Sequence, residues 1–303
     1  MFGKIIIRSG IFVPLAMLLA GPGPAFQESS QTTKAAPRLI ELSQDRIYRL
    51  ELRVPGERTL LQRWGDAWVL PEWQNHPADK TYVAMLLGTL CNLPKGVAVT
   101  ENREDYAHYG LGDDAKTVIA RDEKGYALFS LRVGNRGETY RAAYVLLEGQ
   151  PEVRLLDADL IPAVSRITWG DRTVWRLPES LIREIYFKGF EHDFHVKKID
   201  GSWLVVEPEG VPLDKRFPQL LRQMAFMRAG NLAFRPNPRA GFRTERTVNV
   251  VTDMLTLTLE LGPVEGAAVP GRRGDAPVHY LFSPYFLDWL NSFVAPVETH
   301  PNP

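Results

Sequence analysis

The alternation of hydrophobic and polar residues in the first third of the chain predicts three short β-strands. Residues 47–52 begin one strand, and residues 59–63 return antiparallel to it after the turn at Pro55-Gly56. Residues 68–70, Trp-Val-Leu, follow the turn at Gly65-Asp66 and form the third strand.

A change from strand to helical periodicity follows these strands. Asp79 is placed to cap a helix, because a carboxylate at that position accepts hydrogen bonds from the free amides of the first turn. The helix is predicted to run to about Leu90, with one apolar stripe at helical spacing, made of Val83, Leu86, Leu87 and Leu90.

The same pattern recurs 135 residues further along the chain, which indicates an internal repeat. Trp68 matches Trp203, since each tryptophan follows a polar turn and begins an apolar run. Asp79 matches Asp214, which is therefore predicted to cap a second helix through Leu220, Leu221, Met224 and Met227.

Each copy continues with a further hairpin, a closing strand and a short helix. The predicted fold class is α+β, with two tandem repeats, each an antiparallel β-sheet with one main helix packed on a face and a short C-terminal helix. The predicted boundaries are a first repeat at 45–165, a linker at 166–181, a second repeat at 182–296 and a tail at 297–303. Residues 263–277, rich in Gly, Pro and Ala, are predicted to form a turn-rich loop.

The N-terminal residues have the order of a secretory signal. Lys4 and Arg8 precede an apolar run at 11–20, and small residues and prolines follow at 21–25. Residues 1–25 are interpreted as a signal peptide or, alternatively, as a retained N-terminal anchor, and residues 26–44 as a flexible tether. Both interpretations predict an exported protein, periplasmic or on the outer face of the cytoplasmic membrane.

Charge and cysteine content narrow the classes of function. Lysine plus arginine and aspartate plus glutamate both number 36, so the formal net charge is zero. This balance argues against a nucleic-acid partner and against electrostatic docking on a membrane, which leaves the N-terminal anchor as the expected membrane contact. Cys91 is the single cysteine, so no internal disulfide forms, and it is interpreted as a small buried hydrophobe.

Several short motifs together resemble a known bacterial family. They are the run Gly65-Asp66-Ala67-Trp68-Val69-Leu70, the triplet Tyr109-Gly110-Leu111, and Val133-Gly134 before a tyrosine-containing strand. The chain resembles a domain-of-unknown-function family often encoded beside gliding-motility-type auxiliary subunits of ABC transporters. The resemblance covers residues 45–300 and implies subunits of a membrane transport complex as partners. It supplies no catalytic residues, and the second copy carries Ala240-Gly241-Phe242 in place of the Tyr-Gly-Leu triplet.

Two groups of side chains are candidates for chemistry. Glu191, Asp193 and His195 are weak candidates for a metal site, because alternate residues of a strand share a face and a His-carboxylate set suits a divalent metal. The alternative interpretation is a solvated hairpin. Carboxylates beside the Tyr-Gly-Leu triplet are weak candidates for acid–base catalysis, and they are Glu101, Glu104, Asp105, Asp113 and Asp114.

These patterns predict a non-enzymatic binding or scaffold protein, accessory to a membrane ABC-type transport complex, with no cofactor. The alternative is a cell-envelope enzyme or glycan-binding protein that uses a cleft between the two repeats, since ligand sites favour such interfaces.

Overall fold

The computed structural model describes residues 37–166 and 168–294, and these residues form one compact unit. The described part of the first half has two α-helices, α1 (Lys80–Leu90) and α2 (Leu160–Val164), besides short 3-10 helices. Its strands are β1 (Arg38–Glu41), β2 (Arg49–Val54), β3 (Glu57–Trp64), β4 (Ala67–Leu70), β5 (His76–Pro77), β6 (Asn92–Pro94), β7 (Val97–Thr100), β8 (Lys116–Arg121), β9 (Ala127–Arg136), β10 (Ala142–Leu147) and β11 (Val153–Asp157).

The second half has the helices α3 (Phe217–Ala225) and α4 (Pro284–Val294). Its strands are β12 (Thr173–Arg176), β13 (Ile182–Lys188), β14 (Phe194–Ile199), β15 (Ser202–Glu207), β16 (Phe226–Arg228), β17 (Asn231–Phe234), β18 (Arg246–Thr252), β19 (Thr256–Leu261), β20 (Val269–Arg272) and β21 (Val278–Phe282).

Two large antiparallel sheets dominate the molecule. The first sheet has nine strands in the order β5-β4-β3-β2-β8-β9-β10-β11-β7, and the second has eight in the order β15-β14-β13-β18-β19-β20-β21-β17. Two small ribbons, β1-β6 and β12-β16, complete the strand pairs of the described residues. Apart from β5, each strand of the first half has a counterpart at the same place in the second, so one topology occurs twice.

Each large sheet buries one face beneath its helices. In the first half, Leu50, Val118 and Leu131 of the sheet pack in one core with Leu86 and Leu90 of α1. The corresponding core of the second half contains residues from β13, β18 and β19 together with residues from α3 and α4. Because side chains alternate across a strand, the polar residues between these apolar positions lie on the opposite face of the sheet.

The predicted α+β fold, with one main helix in each repeat, is wrong. The molecule is mostly β-sheet, with large multi-stranded sheets and few helices. The prediction failed because several strands lie in segments that lack a clear alternation, such as β10 and β20. Strand β20 lies inside residues 263–277, where a loop was expected, and Gly271 fits there because a Cβ atom would come within 2.8 Å of Phe282.

The second predicted helix is also partly wrong. Helix α1 begins after Asp79, whose side chain accepts hydrogen bonds from the backbone amides of Thr81 and Tyr82, as the sequence predicts. The repeat predicts that α3 begins at Lys215, which matches Lys80 at the start of α1. Helix α3 begins two residues later, at Phe217, and Asp214 does not cap it. Asp214 instead binds Arg216, through both the backbone amide and the guanidinium group. Met227 lies in β16 rather than in the helix, and α4 is longer than α3.

The predicted signal peptide or anchor at 1–25 lies outside the described residues, as does most of the predicted tether. None of the helices in the described ranges has the length and apolar character needed to cross a membrane.

Candidate functional site

The outer face of the first sheet, opposite α1, carries two rows of side chains that run across the strands. Strand register places Arg53 of β2 beside Thr117 of β8, Thr117 beside Arg132 of β9, and Arg132 beside Leu146 of β10. We call these four residues the arginine row. All four lie on one face of the sheet, because directly paired residues of antiparallel strands point to the same side.

A second row lies two residues further along the strands. Glu51, Ile119 and Ser130 are paired across β2, β8 and β9. The backbone amide of Glu148, in the turn after β10, donates a hydrogen bond to the carbonyl oxygen of Ser130 and so brings Glu148 to the end of this row. We call these four residues the glutamate row.

Apart from Glu51, which is buried beside Arg53, the residues of the two rows form the floor of a groove of about 1220 Å³. The groove is also lined by the β2–β3 turn at 54–56 and, on the β10 side, by the turn at 148–151. Arg103, Tyr106 and the adjacent carboxylates Asp113 and Asp114 close one end. A volume of this size exceeds that of a typical small-molecule pocket, which is roughly 300–1,000 Å³, so the groove has room for an extended ligand.

The charges of the groove do not all neutralise one another. Arg53 and Arg58 both bind the Glu51 carboxylate, the latter through Nε at 2.8 Å. Burial raises the pKa of Glu51, but the hydrogen bonds from these two arginines outweigh that effect and hold the pKa below its usual range. Arg132 donates to the carbonyl oxygen of Leu111 at 3.2 Å.

By contrast, four other charged residues of the groove are exposed and form no ion pair with another described residue. They are Arg103, Asp113, Asp114 and Glu148. Charges of both signs are therefore available to a ligand within one groove.

The Tyr-Gly-Leu triplet anchors the closed end of the groove. Leu111 is fully buried and forms a small core on the outer face with Leu146 and Val153. Gly110 has a φ of +70°, which favours glycine, and a Cβ atom on Gly134 would lie only 2.1 Å from the carbonyl oxygen of Tyr109. The two glycines therefore allow the turn to lie directly on β9.

The second sheet has the same turn, but its outer face is filled. Gly241, between Ala240 and Phe242, has a φ of +67°, close to that of Gly110. Glu260 and Arg272 are paired across β19 and β20, where the first sheet has Arg132 and Leu146. The Arg272 guanidinium binds the Glu260 carboxylate, and it lies 5.6 Å from the ring centroid of Phe242.

Further hydrogen bonds complete this filled face. Thr244 donates to Glu260 at 2.8 Å, and Thr258 donates to the side-chain oxygen of the buried Asn249 at 2.7 Å. The second sheet thus carries, at the positions equivalent to the groove residues of the first sheet, side chains that bind one another.

The predicted metal candidates do not form a common site. The strand begins only at Phe194, so Glu191 and Asp193 lie in the preceding turn rather than on the strand. Asp193 accepts a hydrogen bond from the backbone amide of Gly189, and His195 Nε2 lies 2.9 Å from Glu184. Within residues 37–166 and 168–294, no group of three histidine, cysteine, aspartate or glutamate side chains is arranged to hold a metal.

The carboxylates proposed for acid–base chemistry are dispersed. Asp113 and Asp114 line the groove, whereas Asp105 accepts a hydrogen bond from Thr100 at 3.0 Å, and Glu101 and Glu104 are exposed. Cys91 is buried, and burial raises the pKa of its thiol, which disfavours the reactive thiolate.

The two repeat-marker tryptophans are partly buried, one in each half. Trp68 packs against the core of the first half, and Trp203 packs against the core of the second, with its ring centroid 5.0 Å from that of Phe217. These contacts stabilise the cores and do not reach the groove.

The two halves meet at a polar and aromatic junction. The Asp79 carboxylate, besides capping α1, binds Arg228 of β16 at 2.9 Å. Trp73 stacks on Phe234 with centroids 5.8 Å apart, and His76 is buried, with Nε2 donating to the carbonyl oxygen of Asp171 at 3.0 Å.

A cavity beside the junction, lined in part by Trp73 and Trp169, measures about 20 Å³. This is room for about one water molecule and not for a ligand.

The sequence motifs point to Asp113 and Asp114 but not to most of the groove. Arg53, Arg132 and Ser130 belong to no motif. The available signal is their polar character between buried apolar residues on strands β2 and β9, which predicts that they point outward. That signal does not say whether the outer face is open or filled.

Comparison with known proteins identifies the family. Residues 68–243, more than half of the chain, match the family described as Domain of unknown function (DUF4340). The match begins in β4 and ends before β18, so it includes the junction between the two halves. No curated protein and no solved structure is significantly similar to the chain. On the family match, the chain belongs to the DUF4340 family.

Proposed function

We propose that this protein is an exported, non-enzymatic binding protein that serves as an accessory of a membrane ABC-type transport complex. The choice of partner rests on the resemblance to family members encoded beside auxiliary subunits of such transporters. The exported location rests on the order of Lys4, Arg8 and the apolar run at 11–20.

The observation that carries the binding role is the difference between two copies of one sheet. The outer face of the second sheet is closed by its own side chains, above all by the pair of Arg272 and Glu260. The corresponding face of the first sheet is an open groove with charges that lack internal partners among the described residues. A sheet whose only role is structural needs no such groove, whereas a binding protein needs side chains held ready on a rigid element.

The rigid scaffold supports the same role. The floor of the groove lies on the adjacent strands β2, β8, β9 and β10, whose other face packs on the core. Its side chains therefore keep their positions before a ligand arrives, which lowers the entropic cost of binding.

The alternative site, a cleft between the repeats, has less support. The junction is occupied by the pair of Asp79 and Arg228 and by the stacked rings of Trp73 and Phe234. The cavity beside it holds about one water molecule.

Capture from native membranes tests the proposal. The tagged full-length protein is expected to retain transporter subunits, and Arg132→Glu is expected to reduce their recovery at least about tenfold, because it reverses the charge on the groove floor. Lys124→Glu is the matched control, since it makes the same change of sign at an exposed turn outside the groove. Recovery of transporter subunits that is equal for both variants, or absent with the unchanged protein, contradicts the proposal.

A further inference from the structure

We infer that the groove binds an extended polypeptide segment whose alternate side chains are basic, acidic and basic. This inference rests on the proposed function, because it takes the groove as the binding site. It adds the chemical class of the ligand and the order of its charges.

The groove has three bands of charge in a fixed order along the strands. Asp113 and Asp114 immediately precede β8 and give the closed end, which also contains Arg103, an excess of negative charge. The arginine row comes next and carries Arg53 and Arg132. The glutamate row follows, with Glu148 at its end. These charges lie on successive strands, so a ligand that crosses obliquely from the start of β8 over β9 to the end of β10 meets negative, positive and negative charge in turn.

The spacing of these bands suits an extended peptide. The arginine and glutamate rows are two residues apart along each strand, which corresponds to about 6.8 Å. Alternate side chains of an extended peptide point to the same side and have this same spacing of about 6.8 Å. A peptide with one side chain over Arg132 thus places the next side chain of that face at the level of the glutamate row, where a long basic side chain reaches Glu148 one strand away.

Charge complementarity determines which side chains fit. The central position favours a carboxylate, because Arg132 forms no ion pair with a described residue and an arginine guanidinium binds a carboxylate in bidentate fashion. The flanking positions favour lysine or arginine, opposite Asp113 with Asp114 on one side and Glu148 on the other. Ser130 supplies a hydroxyl group for hydrogen bonds between these positions, and Thr117, whose hydroxyl group donates to the carbonyl oxygen of Ala115, supplies an acceptor.

The groove fits a glycan less well than a peptide. Glycan sites usually present an aromatic ring as a stacking platform. Tyr106 is the aromatic residue among those that line this groove, and its hydroxyl group already donates to the carbonyl oxygen of Pro151 at 2.6 Å.

A panel of labelled peptides tests this inference. Fluorescence anisotropy with the full-length protein would compare the pattern Lys-X-Glu-X-Lys with its charge-reversed form Glu-X-Lys-X-Glu and with a scrambled peptide of the same composition. We expect the first peptide to bind about tenfold more tightly than either of the others, and the preference to weaken with added salt, since the pairs are exposed.

Two variants locate the preference within the groove. Arg132→Glu is expected to weaken the preference several-fold, because the central carboxylate is then repelled while Asp113, Asp114 and Glu148 still attract the flanking lysines. Arg132→Gln is expected to weaken it less, and Lys124→Glu to leave it unchanged. Unchanged melting temperatures of the variants would exclude misfolding as the cause. Equal binding of all three peptides, no binding of any, or a preference that is as strong in Arg132→Glu as in the unchanged protein overturns the inference.

The two proposals fail in distinguishable ways. If membrane capture depends on Arg132 but the peptides show no charge preference, the groove is a binding site and the ligand class is wrong. The ligand class is also wrong if an envelope glycan raises the melting temperature while the peptides do not bind. If capture does not depend on Arg132, the proposed function is wrong, and the inference about the peptide, which rests on it, loses its basis.

Discussion

At the scale of single residues, the most constrained position near the groove is Gly134. Its neighbour is a backbone atom, the carbonyl oxygen of Tyr109, which cannot move aside without moving the whole turn. The same carbonyl accepts a hydrogen bond from the backbone amide of Asn135 at 2.8 Å. Any side chain at position 134 therefore separates the turn from β9 and disturbs the end of the groove that carries Asp113.

We expect Gly134→Ala to lower the free energy of unfolding by about 2 kcal/mol, because the added methyl group overlaps the Tyr109 carbonyl. Gly88→Ala is the matched control: Gly88 lies inside α1 with no atom within 4 Å of its Cβ position, so alanine is expected to stabilise the protein by about 0.5–1 kcal/mol. Urea denaturation measures both, and a Gly134→Ala protein as stable as the unchanged one would contradict the packing described here.

Burial of His76 gives the molecule a residue whose protonation opposes folding. Burial lowers the pKa of His76, although the hydrogen bond to the Asp171 carbonyl partly opposes this shift. In the unfolded chain the imidazole takes up a proton as the pH falls through about 6.5, the ordinary value, whereas the folded protein takes it up only at a lower pH. The free energy of unfolding therefore decreases as the pH falls below about 6.5, until the folded pKa is reached.

The expected loss is at most about 1.4 kcal/mol for each pH unit within that range. It is measured as the difference in unfolding free energy between pH 7.5 and pH 5.5. His76→Gln should remove this contribution, and His192→Gln, at an exposed turn, should keep it. If His76→Gln and the unchanged protein lose the same free energy, the histidine is not held neutral at the junction.

At the scale of elements, the sequence predicts those parts of the fold that local chemistry determines. Helix α1 follows from an N-cap aspartate and an apolar stripe, and both operate within the element itself. Helix α3 ends earlier than predicted because Met227 is buried in β16, which pairs with β12, a segment far away in sequence. Strand β20 likewise depends on its neighbours β19 and β21, since Pro270 and Gly271 have low strand propensity.

The groove shows the same limit of prediction. Alternation along β8 and β9 predicts that Thr117 and Ser130 face outward. Whether that face is open depends on which residue of the neighbouring strand pairs with the charged residue. Arg132 of the first sheet pairs with Leu146, whereas Glu260 of the second pairs with Arg272. This register requires the fold of both strands and cannot be read from either strand alone.

At the scale of the whole molecule, one strand topology occurs twice, and the two copies differ in what their outer faces do. The junction holds the halves together through Asp79 and Arg228 and through the stacked rings of Trp73 and Phe234. The family match extends across this junction, so the family unit includes parts of both halves. We propose that the second copy stabilises the molecule and that the first copy binds the partner.

Site-specific photo-crosslinking in native membranes separates the roles of the two outer faces. A photoreactive side chain is placed at Ser130, on the groove floor, or at Thr258 in the second sheet. The two positions correspond, because Ser130 lies four residues before Gly134 and Thr258 lies four residues before Gly262. We expect a covalent adduct with a transport-complex subunit from position 130 and none from position 258. An adduct from position 258 alone, equal adducts from both positions, or no adduct from position 130 would contradict a binding role for the first sheet.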